Sequence, residues 1–352
     1  MVTEAHFLSL PRDDVEAVVA SVGPLWQKLA GQRLLLTGGT GFIGKWLLAS
    51  FLEANRSLGL GARVVLVSRR PEAFLAEYPD LARAPEVEWW TSDVRDLKPA
   101  AAACCAFAIH AATDVVAKSS PAEILDTCIA GTGRVLDAMS QGEGMRRLLL
   151  LSSGAVYGRA PEGVSHFCED WLGAPDPLAP ISAYGEGKRI SELLAAISAD
   201  QHPELEVSIA RCFAFVGPLL PLDKHFAIGN FIASAMADED IQISGDGTPL
   251  RSYLYAGDLA HWLWVMLFQA PNARAYNVGG QESLSITALA ERVNTVLGGK
   301  GKVLVAKKPM PGAAAQAYLP SLERIRSELN LSPAIKLDDA IRRTALWAST
   351  LG

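Results

Sequence analysis

The sequence contains three side chains that could act together in proton transfer. Tyr184 and Lys188 are four residues apart, which places them one helical turn apart on the same face. A neighbouring ammonium group lowers the pKa of a tyrosine, so Tyr184 could pass a proton near neutral pH. Ser153 follows an apolar run, Leu148 to Leu151, that is typical of a buried strand. Tyr-x-x-x-Lys alone is a common chance pattern, and it gains weight from the serine and from the loop described next.

A glycine-rich loop forms a second candidate site. The run from Thr37 to Gly44, TGGTGFIG, follows an apolar strand and opens a helix. Gly38 permits the tight turn, Gly41 lets the backbone approach a pyrophosphate, and Gly44 lets the helix pack closely on the sheet. The helix adds free N–H groups and the positive end of its dipole. This context predicts a dinucleotide-binding site.

The residues after the second and third strands bear on the choice of cofactor. The second strand ends in Ser68-Arg69-Arg70, where an NAD site would carry an acidic residue for the ribose hydroxyls. A hydroxyl followed by two guanidinium groups suits a 2′-phosphate instead. Asp93, after the third strand, is placed to accept a hydrogen bond from the adenine amino group. We therefore expect NADP(H) as the preferred cofactor, with NAD(H) as the second option.

The elements that must position these residues alternate along the chain. Short apolar runs separated by helical patterns predict an α/β fold, a doubly wound parallel (Rossmann) sheet with a smaller interleaved C-terminal substrate lobe. An N-terminal helical extension, capped by Asp13, is expected over residues 13–30 of a segment 1–30. We assign the NAD(P)-binding domain to 31–165 and 181–216, and the substrate-binding lobe to 166–180 and 217–352. Buried strands are predicted at 34–36, 64–67, 87–90, 107–110, 148–151 and 207–210.

The composition excludes several classes of protein. With 32 Lys and Arg against 38 Asp and Glu, the net charge is −6, and we expect no nucleic-acid partner. The most apolar stretch, Trp262 to Phe268, is far shorter than the roughly 20 residues of a membrane span, so we expect no membrane partner. The 5 cysteines form no metal-binding pattern, and the N-terminus lacks the apolar core of a signal peptide. A cytoplasmic protein without a metal is expected.

Taken together, these motifs resemble an extended short-chain dehydrogenase/reductase, of the NAD(P)-dependent epimerase/dehydratase family that acts on nucleotide sugars. The resemblance runs from about residue 31 to about residue 300. Its marks are the glycine loop, Ser153, Tyr184 and Lys188, together with His110-Ala111-Ala112, Val156-Tyr157-Gly158, Gly217-Pro218, Gly245-Asp246-Gly247, Arg251 and Asp258.

The resemblance implies roles for individual residues. Ser153, Tyr184 and Lys188 would be the catalytic triad, and Thr113, Ser153, Asn230 and Arg251 would contact the substrate. The run Tyr276-Asn277-Val278-Gly279 would lie near the substrate's nucleotide. The cofactor would be bound by Thr37, Gly38, Thr40, Gly41, Phe42, Ile43, Gly44, Ser68, Arg69, Arg70, Asp93, Val94, Ala111, Ala112, Tyr184 and Lys188. A homodimer is expected through helices near 121–139 and 183–199, with apolar faces supplied by Ile124, Cys128, Ile129, Val135 and Leu136.

Departures from the family pattern narrow the reaction. The 4,6-dehydratases carry Thr-Asp-Glu where this chain has Ser153-Gly154-Ala155, so dehydration lacks its acid and base. The epimerase-reductases that make GDP-fucose carry a cysteine at the position of Gly154. Three interpretations remain: an NADPH-dependent reductase of a 4-keto-6-deoxy nucleotide sugar, a nucleotide-sugar 4-epimerase with tightly bound NAD, and a non-catalytic cofactor-sensing protein. The arginines after the second strand favour the reductase.

Overall fold

A computed structural model describes residues 7–98, 102–113, 119–224, 226–310 and 315–350. The strands are β1 (Arg33–Thr37), β2 (Arg63–Ser68), β3 (Val87–Thr91), β4 (Phe107–His110), β5 (Arg146–Ser153), β6 (Leu205–Cys212), β7 (Phe215–Val216), β8 (Ile241–Ile243), β9 (Leu250–Arg251), β10 (Leu254–Tyr255), β11 (Arg274–Val278), β12 (Leu284–Ser285), β13 (Val303–Val305) and β14 (Ala317–Tyr318). The α-helices are α1 (Arg12–Val22), α2 (Phe42–Leu58), α3 (Pro71–Glu77), α4 (Pro121–Asp126), α5 (Thr132–Ser140), α6 (Ala183–Gln201), α7 (Ala227–Met236), α8 (Ala256–Gln269), α9 (Ile286–Leu297), α10 (Glu323–Leu329) and α11 (Leu337–Ser349).

The main sheet has seven strands in the order β11-β6-β5-β4-β1-β2-β3. The pairs β3–β2, β2–β1, β1–β4 and β4–β5 are parallel, with Leu35 opposite both Val65 and Ala108. This strand order belongs to doubly wound dinucleotide-binding folds, and the predicted fold class is confirmed. Strand order reverses between β1 and β4, so the loops after these strands open a crevice at the carboxyl edge of the sheet.

Apolar side chains cover the sheet. One cluster joins Leu35 and Val65 to Val135 of α5 and Ala195 of α6. Another is aromatic: the Trp26 ring lies 4.7 Å from Trp264 and 5.9 Å from Phe268, centroid to centroid. These contacts attach the N-terminal segment to helix α8 by burial of large aromatic surfaces.

The N-terminal helix is shorter than predicted. Helix α1 begins at Arg12 and ends at Val22, and residues 23–29 continue as a 3₁₀-helix. Gly23 has φ +56° and is followed by Pro24, whose ring removes a backbone donor, so the α-helix stops there. The helix start has no side-chain cap, and Asp13 lies in its first turn. The prediction of Asp13 as the cap is therefore wrong.

The contacts divide the chain into two compact units. The first consists of Met1–Val156, Ala174–Arg211 and Ala260–Tyr276, and the second of Tyr157–Gly173, Cys212–Leu259 and Asn277–Gly352. The units interleave along the chain, and their boundaries differ from those drawn on the sequence. The segment 260–276 belongs to the first unit, because it carries Trp264, whose indole nitrogen donates to Ser50 of α2 at 2.8 Å.

The second unit has a buried polar centre. Asn277 is fully buried, and its side chain accepts a hydrogen bond from the Tyr157 hydroxyl at 2.7 Å and donates to the Phe167 carbonyl at 2.8 Å. Its backbone N–H donates to Glu169 at 2.8 Å, and the Tyr157 and Phe167 rings stack at 4.8 Å. The Asn277 side chain therefore serves the interior of this unit, although the sequence placed its segment near a substrate nucleotide.

Candidate active site

The glycine loop closes against the end of β4. Gly38 has φ +72°, and a Cβ there would lie 2.6 Å from the carbonyl carbon of Ala111, so only glycine fits this turn. A Cβ on Gly44 would lie 2.2 Å from the Gly38 oxygen. At Gly41 the nearest atom would be 3.4 Å away, which leaves the backbone open on that side. The loop therefore presents unobstructed backbone just before the amino end of α2.

A groove of about 400 Å³ extends from this loop along the edge of the sheet. That volume lies within the range of about 300–1,000 Å³ typical of ligand pockets. Its lining contains eleven of the residues that the sequence assigned to the cofactor or the substrate: Gly38, Thr40, Gly41, Ser68, Arg69, Arg70, Asp93, Val94, Ala111, Ala112 and Thr113.

Helix α3 contributes groove residues that the sequence argument missed. Ala73, Phe74 and Glu77 line the groove, and Thr127 does so from the π-helical turn at 127–131. Lys45 contacts the end of this helix, with its ammonium 3.1 Å from the Tyr78 hydroxyl and 3.5 Å from the Glu77 carboxylate. The position of α3 directly after Arg70 could have indicated these residues, because the helix that follows the second strand flanks the crevice at the carboxyl edge of the sheet.

Asp93 is engaged by a cation of its own chain. Its carboxylate accepts from the Arg95 backbone at 3.0 Å and from the Arg95 guanidinium at 2.9 Å. These hydrogen bonds hold the pKa of the Asp93 carboxyl below its ordinary value. The carboxylate therefore stays charged and in a fixed orientation beside the groove.

Lys188 is buried and connects α6 to the sheet. Its ammonium donates to the Thr113 hydroxyl at 2.7 Å and to the Leu151 carbonyl of β5 at 2.7 Å. The same nitrogen lies 6.0 Å from the centre of the Tyr184 ring. Because Thr113 lines the groove, this contact brings the predicted lysine and tyrosine to the end of the groove that adjoins β4.

Ser153 is the last residue of β5, and its hydroxyl accepts from the Ala155 N–H at 3.1 Å. The helix that carries Tyr184 packs closely on this turn: a Cβ on Gly185 would lie 2.7 Å from the Ala155 carbonyl oxygen. Gly185 is thus a further residue that sequence reasoning missed. It allows the backbone beside Tyr184 to touch the turn that follows Ser153.

A charged cluster also ties α6 to the neighbouring strands. The Ser152 hydroxyl donates to Glu192 at 2.5 Å, and the Arg211 guanidinium donates to both oxygens of Glu192, at 2.7 and 3.0 Å. Glu192 lies one turn after Lys188 on α6. The cluster therefore fixes α6 to the ends of β5 and β6.

The two remaining predicted substrate residues belong to the second unit. Asn230 is exposed on α7, and Arg251 on β9 is half-buried. The Arg251 guanidinium donates to the Leu250 carbonyl at 2.8 Å and lies 5.3 Å from the Tyr318 ring centre. Tyr318 is an aromatic neighbour that the sequence argument did not single out.

The described residues contain neither a metal-binding cluster nor a membrane-spanning helix. Within the described residues, no three His, Cys, Asp or Glu side chains come together as a metal site. None of the helices in the described ranges is long and apolar enough to cross a membrane.

The model of the NAD dependent epimerase/dehydratase family matches residues 34–279. The chain belongs to this family. The resemblance drawn from the sequence motifs is thereby confirmed. The matched residues span the Rossmann strands from β1 to β11.

Two relatives show what this chain is similar to. UDP-glucuronic acid decarboxylase 1 of Arabidopsis thaliana is 28% identical over 321 residues, which is 88% of this chain and 68% of the relative. A dTDP-glucose 4,6-dehydratase of Streptomyces niveus is 26% identical over 321 residues, covering 90% of this chain and 92% of that protein.

Solved structures share the fold. UDP-glucuronic acid 4-epimerase from Bacillus cereus, in complex with UDP-glucuronic acid and NAD, superimposes with a TM-score of 0.74 at 22% identity. The match covers 91% of this chain and 100% of that one.

The close approach of α6 to the Ser153 turn generates a prediction. Gly185→Ala adds a methyl group that meets the Ala155 carbonyl, so Tyr184 must move relative to Ser153. Because misplacement by about 1 Å can cost 100-fold in rate, we expect turnover to fall by about that factor. The measurement is steady-state turnover, with thermal unfolding recorded alongside.

Gly133→Ala is the matched control. Gly133 lies in α5, and a Cβ there would meet nothing within 4 Å. Alanine favours a helix over glycine, so this variant should keep its turnover and its stability. Equal turnover in the Gly185→Ala and Gly133→Ala variants would contradict the close packing of α6 on the turn after Ser153.

Proposed function

We propose that this member of the family is a nucleotide-sugar oxidoreductase that works at sugar C4. The proposed reaction is the NADPH-dependent reduction of a 4-keto-6-deoxy nucleotide sugar. The observation that carries it is the joining of Lys188 to Thr113, which sets the Tyr184 helix against a groove that suits a dinucleotide. Asn230 and Arg251 stay proposed substrate contacts.

The residues of the groove fit a nicotinamide dinucleotide. Backbone N–H groups at the start of α2 would receive the pyrophosphate, because a helix amino end favours anions. Arg69 and Arg70 would receive a ribose 2′-phosphate, and the charged Asp93 would accept from adenine. Lys188 would hold the ribose next to the nicotinamide. When bound, the cofactor supplies a hydride for the carbon of a sugar carbonyl.

The chain's own residues would handle the proton. Tyr184 donates its hydroxyl proton to the sugar oxygen as the carbonyl becomes an alcohol, and Ser153 donates a hydrogen bond to the same oxygen. Lys188 supplies positive charge on the Tyr184 side of the site, where its ammonium is fixed by the Leu151 carbonyl.

The turn after Ser153 supports chemistry at C4 alone. Gly154 and Ala155 occupy a 3₁₀ turn and carry no acid, base or thiol. Water elimination requires such groups to remove a proton from carbon and protonate a leaving hydroxyl. A reduction requires only the hydride and the tyrosine proton, so the side chains present suffice for it.

The second candidate is a nucleotide-sugar 4-epimerase with tightly bound NAD. The small residues Gly154 and Ala155 favour this candidate, because they leave a keto sugar room to rotate within the site. The relatives of this chain include UDP-glucuronic acid decarboxylases, so UDP-glucuronic acid belongs in the substrate panel. A panel of keto and non-keto nucleotide sugars with NADPH, followed by nicotinamide absorbance and product analysis, separates the candidates. No turnover of any substrate would favour the non-catalytic alternative.

The arginines at the end of β2 predict the cofactor preference. Hydrogen bonds to a charged phosphate contribute about 1.5–3 kcal/mol, which corresponds to about 10- to 100-fold in affinity. We therefore expect NADPH to bind tighter than NADH by that factor in fluorescence titrations. The double variant Arg69→Ala, Arg70→Ala should abolish the difference.

Arg63→Ala is the control for that double variant. Arg63 is exposed at the first position of the same strand, at its opposite end. It should leave both affinities unchanged. Equal or tighter binding of NADH by the unmodified protein would instead favour the epimerase.

Removal of the tyrosine hydroxyl tests the chemistry. Acid–base catalysis contributes about 10²–10⁴ in rate, so Tyr184→Phe should slow single-turnover hydride transfer by at least 100-fold while cofactor affinity persists. Ser153→Ala should cost less, because it removes a hydrogen bond and leaves the proton donor. Lys188→Met should lower both hydride transfer and cofactor affinity. Near-normal transfer in Tyr184→Phe would refute the whole Ser153–Tyr184–Lys188 assignment.

The homodimer is also proposed, with a narrower interface than the sequence indicated. Cys128, Val135 and Leu136 are buried within the single chain, so they are not available to a partner. Two apolar side chains of α6 are exposed instead, Leu193 at 59% and Ile197 at 43%. They are four residues apart on one helix face and supply an apolar surface for a second copy.

Light scattering tests this interface. We expect twice the mass of the chain at micromolar concentration, and the double variant Leu193→Glu, Ile197→Glu should give the mass of one chain because two charges would be buried. Leu346→Glu, at an exposed position of α11, is the control and should stay dimeric. A monomeric wild type would refute the proposal.

A further inference from the structure

A line of buried polar side chains crosses the first unit from β1 to α6. At its centre is His110, the last residue of β4, which is 2% exposed. Its Nδ1 lies 2.7 Å from the Thr37 hydroxyl, and its Nε2 lies 3.2 Å from the Thr132 hydroxyl. Thr132 is 2.9 Å from the Ser191 hydroxyl of α6. None of these side chains has a part in the proposed proton transfer.

The hydrogens of this line run in one direction. Ser191 shares its hydroxyl hydrogen between the carbonyls of Cys128 and Gly187, at 2.9 and 3.0 Å, so it must accept from Thr132. The Thr132 hydroxyl has a single hydrogen, which is thereby used, so His110 must donate to it through Nε2–H. The other ring nitrogen then accepts.

The positions of the two remaining hydrogens, those of the Thr37 hydroxyl and the Ala112 N–H, follow at the other end of the line. The Thr37 hydroxyl donates to His110 Nδ1, and its oxygen accepts from the Ala112 N–H at 3.2 Å. Every group in the line thus has one assigned role. Burial, followed by the nearby charge of Lys188, lowers the pKa of His110 to about 3, so the imidazole stays neutral as this pattern requires.

The two ends of the line lie at the two halves of the candidate active site. Ala112 lines the groove beside the glycine loop, and Thr37 begins that loop. Gly187, whose carbonyl receives the last hydrogen bond, directly precedes Lys188. The line therefore spans the gap between the strand edge that borders the cofactor groove and the helix that carries Tyr184 and Lys188.

We propose that His110 and Thr132 are positioning residues, which hold the catalytic helix at a fixed distance from the cofactor-binding edge through the line Ala112–Thr37–His110–Thr132–Ser191–Gly187. This inference rests on the proposed function in one respect, the contact of Lys188 with the nicotinamide half of a dinucleotide. A buried donor without a partner is unfavourable, so a break anywhere shifts the elements on either side. The adenosine half, bound at β2 and the glycine loop, should not depend on the line.

Three variants test the proposal in the full chain. Thr132→Val removes the hydroxyl at constant shape, and Thr132→Ser retains it. Thr344→Val is the matched control, because Thr344 is also fully buried but, among the described residues, bonds only the Ala340 carbonyl of its own helix α11, in the second unit. The affinity for NADPH is measured by fluorescence, and the affinity for adenosine 2′,5′-bisphosphate by calorimetry. The same two affinities are measured for NADH and for its adenosine fragment AMP.

We expect Thr132→Val to bind NADPH about tenfold more weakly, because a shift of α6 would remove the charge-assisted contact of Lys188 with the nicotinamide half. Its affinity for adenosine 2′,5′-bisphosphate should be unchanged. Thr132→Ser should restore dinucleotide affinity, and Thr344→Val should keep both affinities. Equal weakening of dinucleotide and fragment, no weakening of either, or no binding of any dinucleotide by the wild type would overturn the proposal. Should Thr132→Val not fold, Ser191→Ala breaks the same line one bond further on and carries the same expectation.

The binding comparison is independent of turnover. A wild type that reduces no nucleotide sugar would refute the proposed reaction, while the difference between dinucleotide and fragment would still decide the role of the line. Conversely, an active wild type whose Thr132→Val variant binds both ligands normally would retain the proposed function and remove the positioning role.

Discussion

The burial of the Lys188 ammonium constrains everything around the candidate active site. A charge that is only 4% exposed must have polar partners, and here they are the Thr113 hydroxyl and the Leu151 carbonyl. One partner follows β4 and the other lies in β5, so a single side chain fixes α6 against two strands. Tyr184, one turn earlier on the same helix, takes its place from that attachment.

Other contacts of α6 act in the same sense. Glu192 bonds Ser152 and Arg211, and Ser191 ends the buried line that starts at Thr37. Gly185 allows the helix backbone to approach the turn after Ser153. The helix thus has an ionic contact, a neutral hydrogen-bonded contact and a steric contact with neighbouring elements. Such redundancy holds Tyr184 near the turn that follows Ser153, as the proposed proton transfer requires.

The opposite end of the groove is organised by charge. The two carboxylates of the lining, Asp93 and Glu77, each have a cation of the chain beside them, Arg95 at 2.9 Å and Lys45 at 3.5 Å. The end of β2 itself supplies two guanidinium groups and no acid. Since neighbouring cations offset the carboxylates, the local field favours an anionic ligand. This is the physical basis for proposing a phosphorylated ribose there.

The sequence by itself determined the Rossmann sheet and the types of residue at the site, because strand burial, the glycine loop and the Tyr-x-x-x-Lys spacing are local patterns. It could not determine the interruption at Gly23, the π turn that splits the predicted helix near 121–139, or the burial of Val135 and Leu136. Those depend on which face meets the sheet. Likewise, the partners of Lys188, His110 and Glu192 lie 19 to 75 residues away along the chain. Only tertiary structure decides such contacts, since a hydrogen bond between distant residues forms when the elements carrying them pack together.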